Sequence, residues 1–319
     1  MGEKLVAAHK IAWDLVLLLL CLFPSTSFAY PFIYLTNSED GTVSVIDLAT
    51  HRAIDPPLAV GSGPFGIALN PPGTRLYVTN LQSGTVSIID TSTNTSIGVQ
   101  VRVGNEPSGI AVDRKGGKIY VANYGSDTVS VIDPVINEVT GLPITVERNP
   151  YGMALNPSGT RLYVSNQGSN TISVIDTTTN KVIESIPVGS LPQGILVTPE
   201  GNLLYVANAG SNSVLAIDTA TNKIIGQQVT VGMSPAAIAI DQEGRRLYVA
   251  NYASDDVSVI DTVSNRVIGP AIPVGHKPYA IMVNGSGTLV YVANRGSRTV
   301  SVIDVATAKV SETIPYERK

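Results

Sequence analysis

A tandem repeat of about 43 residues constrains this chain more than any other feature. A Tyr-Val-x-Asn element, written Tyr-Leu-Thr-Asn in its first copy, recurs at spacings of 43, 43, 43, 42, 43 and 43 residues. Its asparagines are Asn37, Asn80, Asn123, Asn166, Asn208, Asn251 and Asn294. Ten residues after each comes an aspartate that closes a Val-Ser-Val-Ile-Asp type run: Asp47, Asp90, Asp133, Asp176, Asp218, Asp261 and Asp304. Two anchors therefore agree on seven repeats, and self-similarity at this period indicates a repeat architecture.

Each repeat predicts four short strands. In the copy that begins at Gly104, the strands are expected at 109–112, 118–122, 128–132 and 138–146. Valine and isoleucine alternate there with serine and threonine, and turn residues such as Asn156-Pro-Ser-Gly-Thr separate the first two strands. Four-stranded units of this length arranged in a ring are typical of β-propellers. We therefore predict an all-β, seven-bladed propeller of four-stranded antiparallel blades.

One blade is predicted to lack its innermost strand. The segment that opens the first strand, of the type Val-Gly-x-x-Pro-x-Gly-Ile-Ala, occurs six times, with its proline at Pro64, Pro107, Pro150, Pro192, Pro235 and Pro278. The N-terminal copy begins at its second strand, and no first strand follows Ile314-Pro-Tyr-Glu-Arg-Lys. Three explanations stay open. The gene product is shortened, residues near 28–30 fill the position, or the edge accepts a strand from a partner.

The first 29 residues differ from the repeats and predict a signal peptide. Lys4 and Lys10 precede a nine-residue apolar run at 15–23, and Ser27-Phe28-Ala29 supplies small residues before a cleavage point. Nine apolar residues are too few for a membrane-spanning helix, and Asp14 interrupts the longer stretch that an uncleaved anchor would use. We expect residues 1–29 to be removed and residues 30–319 to form the propeller, with no membrane span after cleavage. The expected location is the periplasm, the cell surface or the medium.

The repeat resembles a known family. Tyr77-Val-Thr-Asn and Val131-Ile-Asp, with an intervening Gly-Ser-x-Thr, are similar to the YVTN-family β-propeller repeat of exported and cell-surface proteins. The resemblance extends from Phe32 to Pro315. It implies the fold and the compartment, and it implies little about chemistry.

The residues in phase with the repeat are interpreted as structural. An asparagine that ends a strand can bond the backbone of the following turn, and an aspartate that begins an Asp-Thr-x-Thr-Asn turn can do the same. Function is therefore expected where the copies differ, on the face formed by the loops before the first strands and the turns after the second strands. The candidate ligand-binding residues there are Phe65, Tyr124, Tyr151, Tyr252, Tyr279, Arg148, His276, Lys277 and Arg295. Aromatic rings beside cations can stack on sugars and hold carboxylates, and the alternative is that the rings cap the channel.

No cofactor or metal site is predicted. The only cysteine, Cys21, lies in the predicted signal peptide. The two histidines outside that segment, His51 and His276, fall in loops expected on opposite faces. The sequence contains no haem-attachment, zinc-protease or calcium-loop motif. We also expect no catalytic residues. The net charge of −4 disfavours nucleic acid as a partner.

The leading functional hypothesis is an exported, non-enzymatic binding or scaffold propeller with a protein or glycan partner in the cell envelope. A strand donor to the incomplete blade is a further expected partner. Alternatives are a lactonase-like hydrolase and an accessory propeller of a periplasmic quinoprotein or electron-transfer system. A lactonase would need a His, Glu and Arg cluster in the channel, whereas the predicted inner strands, such as Gly66-Ile-Ala-Leu, are apolar.

Overall fold

Seven antiparallel β-sheets surround a central channel in the computed structural model, which describes residues 18–20 and 32–316. Each sheet is one blade, and its strands follow one another in chain order from the channel outward. The predicted seven-bladed, all-β propeller is confirmed. In the described part of the chain, no helix is long and apolar enough to cross a membrane.

The strands fall into four concentric sets. The inner strands are β1 (Leu18–Leu20), β5 (Pro64–Leu69), β10 (Pro107–Val112), β15 (Pro150–Leu155), β19 (Pro192–Val197), β23 (Pro235–Ile240) and β28 (Pro278–Val283). The second strands are β2 (Phe32–Asn37), β6 (Arg75–Asn80), β11 (Ile119–Asn123), β16 (Arg161–Asn166), β20 (Leu203–Asn208), β24 (Arg246–Asn251) and β29 (Leu289–Asn294). The third strands are β3 (Thr42–Asp47), β7 (Thr85–Asp90), β12 (Thr128–Asp133), β17 (Thr171–Asp176), β21 (Ser213–Asp218), β25 (Asp256–Asp261) and β30 (Thr299–Asp304).

The outer strands are of two kinds. Four blades have one continuous outer strand: β4 (Arg52–Ala59), β18 (Lys181–Pro187), β22 (Lys223–Thr230) and β31 (Lys309–Pro315). Three blades have two short ones: β8 (Thr95–Ser96) with β9 (Val101–Arg102), β13 (Glu138–Val139) with β14 (Ile144–Thr145), and β26 (Arg266–Val267) with β27 (Ile272–Pro273).

The continuous fourth strand predicted over 138–146 is therefore wrong in detail. Gly141 lies between β13 and β14 with a φ of 71°, a left-handed conformation that breaks the regular pairing with β12. Gly98 and Gly269 interrupt the outer strands of the second and sixth blades in the same way, with φ values of 63° and 69°. Both short strands still pair with the third strand, so the blade keeps four layers.

The blades are held together by apolar clusters between neighbours. The repeat tyrosines belong to these clusters; Tyr120, for example, is buried and packs with Val129 and Leu162. Desolvation, followed by the charge of Asp113, raises the pKa of Tyr120 to about 12. A similar cluster joins the first and last blades, where Ile33 and Leu35 pack among residues that include Tyr291 and Tyr316. The ring is therefore closed by side-chain packing.

The first blade has a short inner strand. The repeat supplies only β2, β3 and β4 to it, as predicted, and the three-residue β1 pairs antiparallel with β2. The other six inner strands have six residues each. β1 comes from the segment predicted to be the signal peptide, whereas the rest of residues 1–29 and the alternative filling residues 28–30 lie outside the described residues.

Candidate functional site

Six of the seven repeat asparagines donate from Nδ2 to side chains of the third strand, which fits the structural role predicted from their phase; the side chain of Asn208 is buried with no hydrogen-bond partner among the described residues. Asn80 is fully buried, and its Nδ2 donates to Thr85 Oγ1 at 3.0 Å and to Ser87 Oγ at 2.9 Å. Its Oδ1 accepts from the backbone N–H of Gly61 at 3.1 Å. The side chain therefore ties the second strand to the third strand and to the loop that enters the blade.

The repeat aspartates hold the turns between third and outer strands. In Asp218, Oδ1 accepts from the backbone N–H of Ala220 at 3.1 Å and of Thr221 at 2.7 Å, and from the Thr221 hydroxyl at 2.8 Å. The bond from the Thr221 side chain, followed by the backbone bonds, lowers the pKa of Asp218. These carboxylates are therefore occupied by the fold.

The residues that differ between copies converge on one face. We call it the top face, and it consists of the loops before the inner strands and the turns after the second strands. There Phe65, Leu81, Ala236 and Tyr279 form a buried cluster, against which Tyr151 and Tyr252 pack. We call these six residues the aromatic plug. They come from inner strands and turns of four blades, so the plug lies across the channel axis.

The rings of the plug meet edge to face. Phe65 and Tyr151 have ring centroids 5.4 Å apart at 90°, and Tyr252 and Tyr279 have centroids 6.0 Å apart at 86°. Tyr124 continues the row, with its centroid 6.4 Å from that of Tyr151. Such pairs add stability beyond their buried area. The predicted aromatics are therefore brought together, with Phe65 and Tyr279 buried and the others half-buried.

Tyr279 is the most unusual side chain of the plug. It is 8% exposed, and its hydroxyl is buried with no hydrogen-bond partner among the described residues. Burial raises the pKa of Tyr279, and the nearby charge of Arg295 opposes that rise. A buried hydroxyl without a partner costs about 1–3 kcal/mol. The fold alone does not explain why the position carries tyrosine instead of phenylalanine.

A cavity of about 210 Å³ lies in the channel directly against the plug. Inner strands of six blades line it with small and apolar residues, among them Gly109, Met153, Ile195 and Ile238. Gln193 supplies the only side-chain amide of the lining, and no charged residue of the described chain contributes to it. The cavity therefore suits a small, mainly apolar group that makes one or two hydrogen bonds.

The predicted basic residues surround the plug, and two of them, Arg295 and His276, are hydrogen-bonded there. Arg295 donates to the Tyr252 hydroxyl at 3.2 Å, and the imidazole of His276 lies 2.7 Å from Asp255. The hydrogen bond from His276 is the main reason that the pKa of Asp255 is lowered. Arg148 and Lys277 are exposed. The charge pattern therefore places exposed cations on two sides of the mouth.

Left-handed backbone conformations in the top-face loops do not mark a functional site. The residue before each inner-strand proline has a positive φ, including Glu106 at 49°, Leu191 at 50° and Lys277 at 56°. Such conformations cost about 1–3 kcal/mol in a residue other than glycine. Because they occur in every one of these loops, we interpret them as part of blade construction.

Sequence reasoning left two polar residues out of the site. Gln193 lines the cavity, and the buried Gln167 accepts a hydrogen bond from the Tyr124 hydroxyl at 3.3 Å through its Oε1. Both occupy the same variable repeat positions as the aromatic candidates. Their variable repeat positions therefore pointed to the site, but the prediction considered only aromatic and basic residues at these positions.

The two histidines lie on opposite faces, as predicted. His51 lies in the turn between β3 and β4, where its imidazole is 2.6 Å from Glu312. His276 lies in the loop before β28, on the top face, where it pairs with Asp255. In the described part of the chain, no group of three or more His, Cys, Asp or Glu side chains is placed to hold a metal ion.

Comparison with solved structures finds the same fold in several proteins. Hydrazine synthase from Kuenenia stuttgartiensis is 24% identical with a TM-score of 0.79, and the alignment covers 86% of this chain and 92% of that one. A functionally unknown protein from Desulfotomaculum acetoxidans DSM 771 is 16% identical with a TM-score of 0.76, over 89% and 95% of the two chains. Dihydro-heme d1 dehydrogenase NirN is 14% identical with a TM-score of 0.69, over 93% and 66%.

Sequence comparison gives the family. No curated protein matches this sequence. The family described as "Lactonase, 7-bladed beta-propeller" matches residues 32–141, 136–224 and 188–274, which together extend over more than half of the chain. The chain therefore belongs to the seven-bladed β-propeller lactonase family.

Proposed function

We propose that this protein is an exported binding propeller that takes its ligand at the top face, over the mouth of the channel. The observation that carries the proposal is that the residues that differ between repeat copies converge on the top face. Tyr124, Tyr151 and Tyr252 are half-buried around the plug, and the apolar cavity lies beneath them. Aromatic rims over an apolar cavity suit ligands with an apolar body and a polar end.

The ligand class follows from the lining. Exposed cations at Arg148 and Lys277 favour an anionic or carbohydrate-bearing group at the rim, and Gln193 offers an amide deeper in the channel. A protein or glycan of the cell envelope that presents an apolar group flanked by acidic groups fits this arrangement. The residues at the rim supply specificity, and the cavity supplies buried apolar area.

Paired variants on the two faces test the binding proposal. Tyr124→Ala with Tyr151→Ala removes two half-buried rings of the rim, and His51→Ala with Glu312→Ala removes a matched polar pair from the opposite side. We expect the first variant to lose capture of envelope components and the second to retain it. Thermal melting of both variants separates lost binding from lost folding. If the two variants capture envelope components equally well, the top face is not the binding site.

The location is proposed separately. The basic start, the apolar run and the small residues before Tyr30 support export with cleavage after Ala29. N-terminal sequencing of the protein from fractionated cells should give Tyr30 as the first residue. A chain that keeps residue 1 in the cytoplasmic fraction would contradict export.

Hydrolysis of lactones is the second candidate, and family membership is the observation that favours it. Against it stands the cavity itself, since among the described residues its lining offers Gln193 and backbone groups but no charged side chain to act as a general base. A screen of lactones and esters against the purified protein decides between the two. We expect no turnover above the uncatalysed rate. Turnover that Gln193→Ala abolishes would establish the hydrolase.

A further inference from the structure

A pocket of about 200 Å³ lies in the cleft between the sixth and seventh blades. Tyr248, Ile268, Pro270 and Ile303 line it, and Arg246 supplies the only charged side chain of the lining among the described residues. The pocket lies beside the turn that joins the third and outer strands of the seventh blade, on the side opposite the top face. It is therefore separate from the aromatic plug and from the channel cavity.

Ala308, in the wall of this pocket, departs from the repeat. The fourth residue after each repeat aspartate is left-handed, with φ between 51° and 56°. Asparagine and histidine tolerate this conformation better than alanine does. The seventh copy carries alanine, whereas the other six carry a polar side chain: His51, Asn94, Asn137, Asn180, Asn222 and Asn265. The seventh blade therefore keeps the strained backbone without the side chain that suits it.

In other blades the asparagine of this turn crosses the cleft. Asn222 Nδ2 donates to Glu184 Oε2 of the preceding blade at 2.5 Å. Asn265 Nδ2 donates to the carbonyl of Gln227, also of the preceding blade, at 3.2 Å. Ala308 has no group that can make such a bond, and it forms part of the pocket wall instead.

Val305, in the same turn, is a second departure. The residue after the repeat aspartate is threonine in four copies: Thr91, Thr177, Thr219 and Thr262. There the hydroxyl donates to the backbone, as Thr262 does to the Gly244 carbonyl at 2.6 Å. Val305 replaces that hydroxyl by a methyl group at the pocket wall. Both departures therefore make the wall of this cleft more apolar.

Arg246 differs in its contacts from its counterpart in the second blade. Arg75 Nη1 crosses to the third blade and donates to the Pro134 carbonyl at 2.7 Å. Arg246 bonds the Tyr248 hydroxyl within its own blade, and in the described part of the chain no hydrogen bond joins it to the seventh blade. The charge of Asp261 acts on it without forming an ion pair. Because a guanidinium has five N–H donors, donors remain at the exposed mouth of the pocket.

We propose that this cleft binds a small organic acid, with its single aromatic ring in the pocket and its carboxylate on Arg246. Apolar cavities of about 150 Å³ bind benzene, so a pocket of about 200 Å³ accommodates one ring with a short side chain. The ring packs among Tyr248, Ile268 and Ile303, where edge-to-face contact with Tyr248 is favourable. Guanidinium and carboxylate groups match in a bidentate pair, which fixes the orientation of the acid.

Three probes test the two halves of the site on the full chain. 3-Phenylpropionate carries both the ring and the charge, 3-phenylpropionamide keeps the ring without the charge, and propionate keeps the charge without the ring. In ligand-observed NMR titrations we expect 3-phenylpropionate to bind saturably with a Kd of about 1 mM or below. The other two should bind about tenfold or more weakly. Equal binding of the three probes, or no saturable binding of the first, would overturn the proposal.

Two variants locate the probe in the cleft. Ala308→Asn restores the residue of the other copies and fills part of the pocket, so affinity for 3-phenylpropionate should fall about tenfold. Arg246→Gln should lower affinity for the acid about tenfold and leave affinity for the amide unchanged. Arg75→Gln, at the same repeat position of the second blade, is the matched control and should change neither affinity.

The remaining outcomes also decide the question. Unchanged affinity in Ala308→Asn and Arg246→Gln would overturn the proposal, as would an equal loss in Arg75→Gln. If melting shows that Ala308→Asn does not fold, Val305→Thr replaces it, with an expected loss of threefold or more and the same contradicting result. Binding that only Tyr124→Ala with Tyr151→Ala abolishes would assign the probe to the top face and overturn the cleft site. Loss of envelope capture at the top face would leave the cleft site unaffected.

Discussion

At the scale of single residues, phase within the repeat separates structure from function. The seven asparagines and seven aspartates were predictable as structural because they recur in every copy, and the contacts of all seven aspartates and of six asparagines, all but Asn208, agree with this. The candidate aromatics were predictable as a group on one face. Which of them would be buried was not predictable, because the burial of a ring depends on which side chains of other blades cover it. Phe65 and Tyr279 lie within the buried cluster, while Tyr151 packs against it and stays half-exposed.

Asn123→Ala tests the structural role of the repeat asparagine. The side chain donates to Thr128 Oγ1 and Ser130 Oγ, and it accepts from the Gly104 N–H at 3.0 Å. Its loss leaves buried polar groups without partners, so we expect a loss of about 2–4 kcal/mol in the free energy of unfolding. Urea denaturation measures it. The exposed Asn105→Ala is the control and should change stability by less than about 0.5 kcal/mol.

Tyr279→Phe tests whether the hydroxyl of the plug serves the fold. Because this hydroxyl is buried without a partner among the described residues, removing it should leave stability unchanged or raise it by up to about 1 kcal/mol. Tyr279→Ala should instead lose about 3–5 kcal/mol, because the ring fills the core of the plug. Calorimetry of both variants makes the comparison. A clear loss of stability in Tyr279→Phe would mean that the hydroxyl has a structural partner.

At the scale of strands, the sequence predicts the order and the pairing but not every boundary. In the copy that begins at Gly104, β11 and β12 lie within one residue of the predicted 118–122 and 128–132, because alternating valine, isoleucine and serine define these strands. The outer strands are less regular. Gly98, Gly141 and Gly269 divide three of them, since a left-handed glycine is compatible with the exposed edge of a blade. The inner strand of the first blade comes from a segment with no repeat signal, so it could not be predicted.

Gly109→Ala tests the close approach between inner strands. A Cβ on Gly109 would lie 2.2 Å from the carbonyl oxygen of Tyr151 in the next blade, so the two blades must separate. We expect a loss of about 1–3 kcal/mol in the free energy of unfolding. Gly117→Ala is the matched control, because its nearest neighbour would be 3.7 Å away and its φ is not left-handed. If the two variants are equally stable, the inner strands are not packed this closely.

At the scale of the whole molecule, seven blades are joined by apolar clusters, and the turn aspartates add a dependence on pH. Hydrogen bonds within the turns lower the pKa of Asp90, Asp176, Asp218, Asp261 and Asp304. The unfolded chain therefore binds more protons than the folded chain below about pH 4, and stability falls as pH decreases through the lowered pKa values.

Melting temperatures between pH 7 and pH 2.5 measure this dependence. We expect little change down to about pH 4 and a progressive decrease below it. Asp218→Asn removes one of the titrating groups, so its melting temperature should fall less steeply below pH 4 than that of the unaltered chain. A melting temperature that rises on acidification would contradict the assignment.

For the molecule as a whole, we propose that binding takes place at the top face over the channel mouth. Quantitative capture of cell-envelope components on immobilised protein tests it most directly, with three matched samples. They are the unaltered chain, Tyr124→Ala with Tyr151→Ala on the top face, and His51→Ala with Glu312→Ala on the opposite side. We expect the unaltered chain and the opposite-side variant to retain the same component and the top-face variant, though folded, to lose it. Loss from the opposite-side variant alone would contradict binding at the top face.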